Sequence, residues 1–324
     1  MILITRALAR LLRLSSPGGR RGRLTILIYH RVHSQTDPLF PEEVNAAEFD
    51  RQIAALSNCF NVLPLDEAVA CLTKNALPRA AAAIAFDDGY ADNYEIALPI
   101  LRRYEVPATF FISTGFLDGG RMWNDTVIEV LRRARGDVLD LDSLGLGVHD
   151  LSTPLSRGRS ALSLLGKLKH LDFAGRAQMV ENIAQQVGAT LPCDLMMTSG
   201  QVRELHAAGM GIGAHTVHHP ILARLDPAQA RAEIADGRAR LQEIIRAPVT
   251  LFAYPNGKPR QDYTVEHVEM VKGLGFRAAF STAWGVAHSA SDFYQLPRFT
   301  PWDKTPARFV LRLLQNTRRL APIS

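Results

Sequence analysis

AIAFDDGYADN, residues 83–93, ends an apolar run on two adjacent carboxylates and a glycine. The run reads as a buried strand, because five of the six residues before Asp87 are alanine or isoleucine and the sixth is Phe86. A buried carboxylate is costly, and two adjacent ones raise each other's pKa unless a cation or a shared proton relieves them. Neighbouring side chains on a strand point to opposite faces. Asp87 and Asp88 therefore share one cavity only if the chain turns there, which Gly89 permits. Two readings stand at this point: an Asp-Asp-Gly turn of the kind that joins hairpins, or a site.

Outward from this strand the chain alternates. LTILIYHRV (24–32) is a β-branched, aromatic run ending near His30, and a helix follows over about 46–57. A short strand and a helix occupy 60–75, and NYEIALPILRRYE (93–105) is helical with Pro99 as a blemish. PATFFIST (107–114) is the next strand. From about 119 to 198 helical patterns dominate with little strand character, so this stretch reads as a helical insertion. The rhythm resumes with GIGAHT (211–216), a helix over about 227–246, VTLFAYP (249–255), a helix near 262–275 and RAAFST (277–282). FYQLPRF (293–299) is a candidate last strand, and ARFVLRLLQNTRRL (307–320) a closing helix. About seven strands, each followed by a helix, predict an α/β fold: a distorted or incomplete (β/α) barrel. An open doubly wound sheet gives the same alternation, and both place the site at the C-terminal ends of the strands.

That rule selects His30, Asp87, Asp88, the histidines of GIGAHTVHHP (211–220) and the YPNG turn at 254–257. His215 and His219 lie four apart after a strand, where two imidazoles can grip one metal ion. Pro220 draws His219 away from helical geometry. The glutamate of a zincin helix is missing, since Thr216 stands in its place. Two histidines and one aspartate leave coordination positions open, and the other aspartate is free to act as a base. The same ligands suit non-haem Fe(II).

AFDDG (85–89) with HTVHHP (215–220) resembles the first two motifs of the polysaccharide deacetylases, the family 4 carbohydrate esterases with a NodB-type domain. LFAYPNG (251–257) is similar to the third motif in an exopolysaccharide-associated branch, in which YHRV (29–32) on the first strand is also usual. The likeness spans about 24–116 and 199–300. It implies a NodB-like barrel and a divalent metal held by Asp88, His215 and His219. Zinc is the leading candidate, with Ni, Co, Fe or Mn as others. It implies Asp87 as catalytic base and a backbone N–H near Tyr254 for the oxyanion. The late L-x-H motif that supplies an acid in many members is not found, so His30 takes that role. The usual arginine of the third motif is missing too, and Arg298 in LPRF (296–299) is the candidate tether for Asp87. Ala85 replaces a usual threonine beside the site. Trp123, Asn124 and Asp125 in RMWNDTVIE (121–129), with Asn256, are candidate sugar contacts; for the former stretch the competing reading is an N-cap at Asn124 behind a core Trp.

The implied function is metal-dependent removal of N-acetyl groups from an amino sugar in a polysaccharide, an oligosaccharide or a lipid-linked precursor. Alternatives are a catalytically silent carbohydrate-binding relative and an Fe(II) oxygenase, which lacks its H-x-D pair here. A glycosidase fails, because its two carboxylates must flank the bond about 5 Å or more apart. The 324 residues carry 37 Lys and Arg against 32 Asp and Glu, with three scattered cysteines. Such cysteines fit a reducing compartment better than a disulfide framework. MILITRALARLLRL (1–14) sets Leu8, Leu11, Leu12 and Leu14 against Arg6, Arg10 and Arg13, an amphipathic pattern without a signal-peptide core. The expected organisation is a basic amphipathic segment and linker (1–23) and one catalytic domain (24–324). A cytoplasmic protein is expected, with peripheral contact to anionic membrane through that segment and no nucleic-acid partner.

Overall fold

A computed structural model describes residues 16–317, so the amphipathic segment read in 1–14 lies outside the described residues. The strand β1 (Leu24–Tyr29) is buried throughout. It leads to α1 (Ala46–Cys59), which begins at a capping box: the Asn45 side chain accepts the Glu48 N–H at 3.0 Å, and Glu48 accepts the Asn45 N–H in return. Then come β2 (Asn61–Val62), α2 (Leu65–Thr73) and β3 (Ala81–Phe86). Pro99 is accommodated rather than disruptive. A π-helical turn at Asn93–Ala97 precedes α3 (Leu98–Arg103), which places the proline in the first turn, where no N–H is needed. β4 (Thr109–Ile112) follows.

Between β4 and the next barrel strand lie α4 (Trp123–Arg133), β5 (Val138–Asp140), β6 (Val148–Asp150), α5 (Pro154–Leu168) and α6 (Phe173–Val187). Helices dominate this insertion, but the expectation of little strand character needs correction: β5 and β6 pair as an antiparallel hairpin. Each is three residues long with two exposed positions, too short to show an alternation. The insertion has its own apolar cluster, with Val127, Val130, Leu131, Leu164, Leu168 and Ile183 at its centre.

The barrel continues through α7 (Ser199–Ala207), β7 (Gly211–Ala214), α8 (Pro227–Ile245), β8 (Leu251–Ala253), α9 (Val265–Gly273) and β9 (Ala278–Phe280), and α10 (Pro306–Asn316) follows. The seven-stranded sheet runs β1-β3-β4-β7-β8-β9, all parallel, with β2 on β3. The segment 293–299 is not a continuous strand, yet it joins the two ends. Leu296 bridges Phe280 on β9, and Phe299 bridges Leu27 on β1. Pro297, with no N–H to give, separates the two bridges. The sheet is thus a curled barrel strapped by this segment.

Strand parity sorts the two faces. Ala81, Ala83 and Ala85 of β3 pack with Phe111, Phe280, Ala253 and Leu296 in one cluster. Ile84 and Phe86 face the opposite way, into the cluster shared with the surrounding helices. Interior space is tight: a Cβ on Gly213 would come within 2.3 Å of the Phe111 ring. Gly213→Ala is therefore expected to destabilise the protein by about 1–3 kcal/mol through overpacking. Urea denaturation should show a lower midpoint with an unchanged slope.

Candidate active site

Asp87 continues the inward row of Ala81, Ala83 and Ala85 and is 2% exposed. Its carboxylate meets Arg298 in a two-pronged pair, Nη1 to Oδ1 at 2.7 Å and Nη2 to Oδ2 at 2.8 Å. The Arg298 Nε–H donates to the Ser281 carbonyl at 3.0 Å. Burial alone would push the Asp87 carboxyl up, but the guanidinium and the nearby His215 outweigh it and hold Asp87 below the usual range.

Asp88 would point outward on an unbroken strand. It adopts φ +77° instead, and the Gly89 N–H donates to the Asp87 carbonyl at 3.0 Å, closing a γ-turn that re-aims the side chain. Gly89 follows at φ +93°, and a Cβ there would reach 2.9 Å from Ile112. The turn and site readings of this stretch are thus compatible, with the turn shared by both residues.

His215 is fully buried, and its Nδ1–H donates to the Ala253 carbonyl at 2.7 Å. That bond leaves the Nε2 lone pair free to face the carboxylates. His215 Nε2 and His219 Nε2 each stand 3.4 Å from Asp88 Oδ1. Among the described residues, both Asp88 Oδ1 and His215 Nε2 are buried without a hydrogen-bond partner. Orphaned acceptors facing one point are what a cation site requires. The donor atoms of Asp88, His215 and His219 lie within 4.8 Å of one another, and together they fit a metal ion. Burial pushes His219 down to about 4, which keeps it neutral near pH 7. Burial also acts to lower His215, but Asp87 and Asp88 override it, so His215 is raised. Asp88 is held low by His219 and His215 against its own burial.

The histidine loop is held by groups the sequence did not mark. Glu233 on α8 accepts the N–H groups of Val217 and His218 at 2.9 and 2.8 Å and pairs with the His218 ring at 2.7 Å. His218 therefore serves the loop, whereas the His219 ring faces Asp88. Thr216 and His219 both take left-handed φ, +65° and +51°, and Thr216 Oγ1 accepts the His219 N–H at 3.0 Å. Gly237 lets α8 approach closely, since a Cβ there would lie 2.7 Å from the Thr216 backbone. A helical glutamate with no motif around it gives no local signal of this role.

His30 is exposed at the end of β1, and its imidazole is close enough to act electrostatically on Asp87, Asp88 and His219. Of the turn expected to offer an oxyanion donor, Tyr254 itself has both of its donors engaged. Its N–H already donates to the Phe280 carbonyl at 3.1 Å, and its hydroxyl to the Tyr294 carbonyl at 3.0 Å. The pairing of β8 with β9 thus takes the Tyr254 N–H, and the rest of the YPNG turn lies beyond that ladder.

A cavity of about 270 Å³ opens onto Asp88 and His219, walled by Trp123, Asn124, Lys169, Arg176 and Asn256. Trp123 and Asn256 therefore border it. One face of the Trp123 ring carries the Arg176 guanidinium, 4.9 Å from its centroid. Asp125 is corrected as a wall residue: it is buried beneath the cavity and accepts the Tyr90 hydroxyl at 3.2 Å. The competing N-cap at Asn124 is not formed either, because α4 is capped at Met122.

Curled parallel sheet, paired aspartates after β3 and histidines after β7 together define a NodB-like deacetylase scaffold. The polysaccharide deacetylase family model matches residues 74–137 and 173–279, and the chain belongs to that family. The stretch left between the two matched parts contains the hairpin and α5. YxkH of Bacillus subtilis (strain 168), which bears a polysaccharide deacetylase name, is 24% identical over 278 residues, spanning 85% of this chain and 70% of its own length. A poly-beta-1,6-N-acetyl-D-glucosamine N-deacetylase of Staphylococcus aureus (strain MSSA476) is 40% identical over 102 residues, 28% of this chain and 35% of the relative. Among solved structures, the deacetylase PplD of Streptococcus pyogenes superimposes with a TM-score of 0.59 at 20% identity, covering 91% of this chain and 98% of its own. IcaB of Ammonifex degensii gives 0.59 at 19% identity, covering 94% and 98%. These two establish the shared fold. Among the described residues no helix is long and apolar enough to cross a membrane.

Two outcomes test this geometry. Arg298→Met strands a buried carboxylate and is expected to cost about 3–5 kcal/mol. Wild-type Asp87, with its folded pKa depressed, contributes stability that is lost as pH falls through that pKa. Without Arg298 burial dominates and raises Asp87, so its contribution then falls as pH rises, and the loss of melting temperature in Arg298→Met should be larger at pH 7 than at pH 4. Asp125 has the opposite sign: burial, with some help from Asp88, raises it from 3.8 to about 7. The unfolded chain sheds this proton first, so the Asp125 contribution to stability falls as pH rises from about 4 to about 7. Asp125→Asn should therefore gain melting temperature over wild type at pH 8 and much less at pH 5.

Proposed function

We propose that the protein hydrolyses N-acetyl groups from amino-sugar residues of a glycan, whether polymer, oligosaccharide or lipid-linked precursor, with a divalent metal, zinc foremost, at Asp88, His215 and His219. The observation that carries this reading is the pair of orphaned acceptors, Asp88 Oδ1 and His215 Nε2, facing one point beside an arginine-clamped Asp87. Two imidazole nitrogens and one carboxylate suit a borderline-soft divalent ion with open positions. Such an ion supplies Lewis-acid polarisation of the N-acetyl carbonyl and lowers the pKa of water bound to it.

The remaining steps belong to the chain. Asp87, kept ionised and in one orientation by Arg298, takes the proton from the attacking water. Arg298 touches no reacting atom in this scheme; it positions the base and completes its charge balance. As the carbon–nitrogen bond breaks, the departing amine needs a proton, which His30 at the exposed end of β1 gives. The buried Nδ1–H bond to Ala253 holds the His215 tautomer throughout. The cavity walled by Trp123, Asn124 and Asn256 receives the sugar next to this centre.

The deciding experiment incubates zinc-loaded protein with N-acetylglucosamine oligomers and lipid-linked saccharides and measures acetate. Asp87→Asn is expected to retain zinc and lose turnover by about 10²–10⁴-fold. His219→Ala should lose both zinc and turnover. A zinc-loaded wild type that binds these glycans and releases no acetate would instead establish the carbohydrate-binding relative.

A further inference from the structure

The wall of the cavity holds cations that nothing in the proposed hydrolysis uses. Arg176 on α6 is only 6% exposed, yet its guanidinium has no hydrogen-bond or ion-pair partner among the described residues. It is held by aromatic faces instead, 4.9 Å from the Trp123 centroid and 5.7 Å from that of Phe173. Stacking of this kind fixes the plane of a guanidinium while its N–H edge stays free to donate. Arg176 lines two cavities, the one at Asp88 and His219 and a second of about 210 Å³.

Lys169, at the end of α5, lines the first cavity and donates to Asn256 Oδ1 at 2.9 Å. Arg224 lines the second and is bonded to the Lys169 carbonyl at 3.1 Å. Neither forms an ion pair among the described residues. Two acids share this wall: Asp88 sits with His215 and His219, and Asp172, which caps α6 through the Gly175 N–H at 2.9 Å, lines the second cavity and offsets part of the Arg176 charge without bonding it. Like charges gathered around an enclosed space repel one another and lower their mutual energy when an anion enters. A planar, pre-oriented guanidinium next to a lysine is the donor arrangement that matches a carboxylate or phosphate.

We propose that Arg176 and Lys169 form an anion-binding subsite, so that the preferred substrate is an acidic glycan with a carboxylate or phosphate close to its N-acetylated sugar. This rests on the deacetylase reading and narrows its substrate class. The insertion supplies both cations, whereas the barrel supplies the hydrolytic residues.

The test measures binding by calorimetry to the metal-free protein, where no diphosphate contact to metal intrudes. Three probes are compared: a hyaluronan tetrasaccharide (carboxylate), UDP-N-acetylglucosamine (phosphate) and neutral chitotetraose. At least one acidic probe should bind about tenfold or more tightly than the neutral one at low salt, with the advantage shrinking as salt rises. The better acidic probe identifies the anion. Arg176→Gln should erase most of that ratio and Arg176→Lys should restore part of it, with thermal melts reporting folding. Lys169→Gln, at a site with little packing, should lower the ratio even if Arg176→Gln fails to fold. Equal binding of all three probes, or a preference that survives both glutamine variants, overturns the proposal. Acetate release from the zinc-loaded protein is read separately. Charge-dependent binding without acetate leaves the subsite standing and removes the deacetylase reading; acetate release with no charge preference does the reverse.

Discussion

The buried pair between Arg298 and Asp87 is the constraint on which the centre of the molecule depends. Arg298 comes from the strap that bridges β9 and β1, bonds the Ser281 carbonyl beyond β9, and reaches the carboxylate beyond β3. One side chain therefore ties three parts of the barrel wall together and sets the ionisation of the acid at the centre. Burying an ion pair has a large desolvation cost, and two parallel hydrogen bonds plus a third to backbone are what offset it here. Pro297 beside it interrupts the strap's hydrogen bonding, so the pair also does work that a continuous strand would have done through its ladder.

Around that pair the backbone is bent where ligands must converge. Asp88, Thr216, His219 and Asn256 all sit at positive φ without being glycine. Each such residue costs on the order of 1–3 kcal/mol, and Thr216, being β-branched, is the least suited to it. The surroundings over-determine these conformations: Glu233 grips two loop N–H groups, Gly237 admits the loop against α8, and Ser113 donates to the Asp88 carbonyl at 3.1 Å. A cation bound at the orphaned acceptors would add to this restraint.

Much of the architecture was legible in the sequence because barrel strands are apolar runs that stop on polar residues. AIAFDDG and GIGAHTVHH announce both a strand and its functional end, and the parallel order followed from the strand–helix rhythm. What stayed hidden depends on neighbours in space. Whether Tyr254 has a spare N–H is decided by Phe280 on the adjacent strand, which spacing along the chain does not reveal. Asp125 looked like a wall residue because it follows Trp123, but helical geometry turns it under Tyr90. Arg176 and Lys169 lie in amphipathic helical patterns where a cation ordinarily means solvent, and only the packing of α6 against Trp123 brings Arg176 under cover.

The insertion carries its own apolar cluster and meets the barrel's YPNG turn at the bond from Lys169 to Asn256. Parts packed around separate cores tolerate substitution independently, since energetic coupling fades between residues that share no partners. Val130 or Leu164 can change within that cluster while the barrel's aspartates, histidines and Arg298 keep their spacing. Such a division lets the cavity wall vary on a framework whose buried charges stay in place, except at Asp125, where the insertion and the barrel meet through Tyr90 and Asp88.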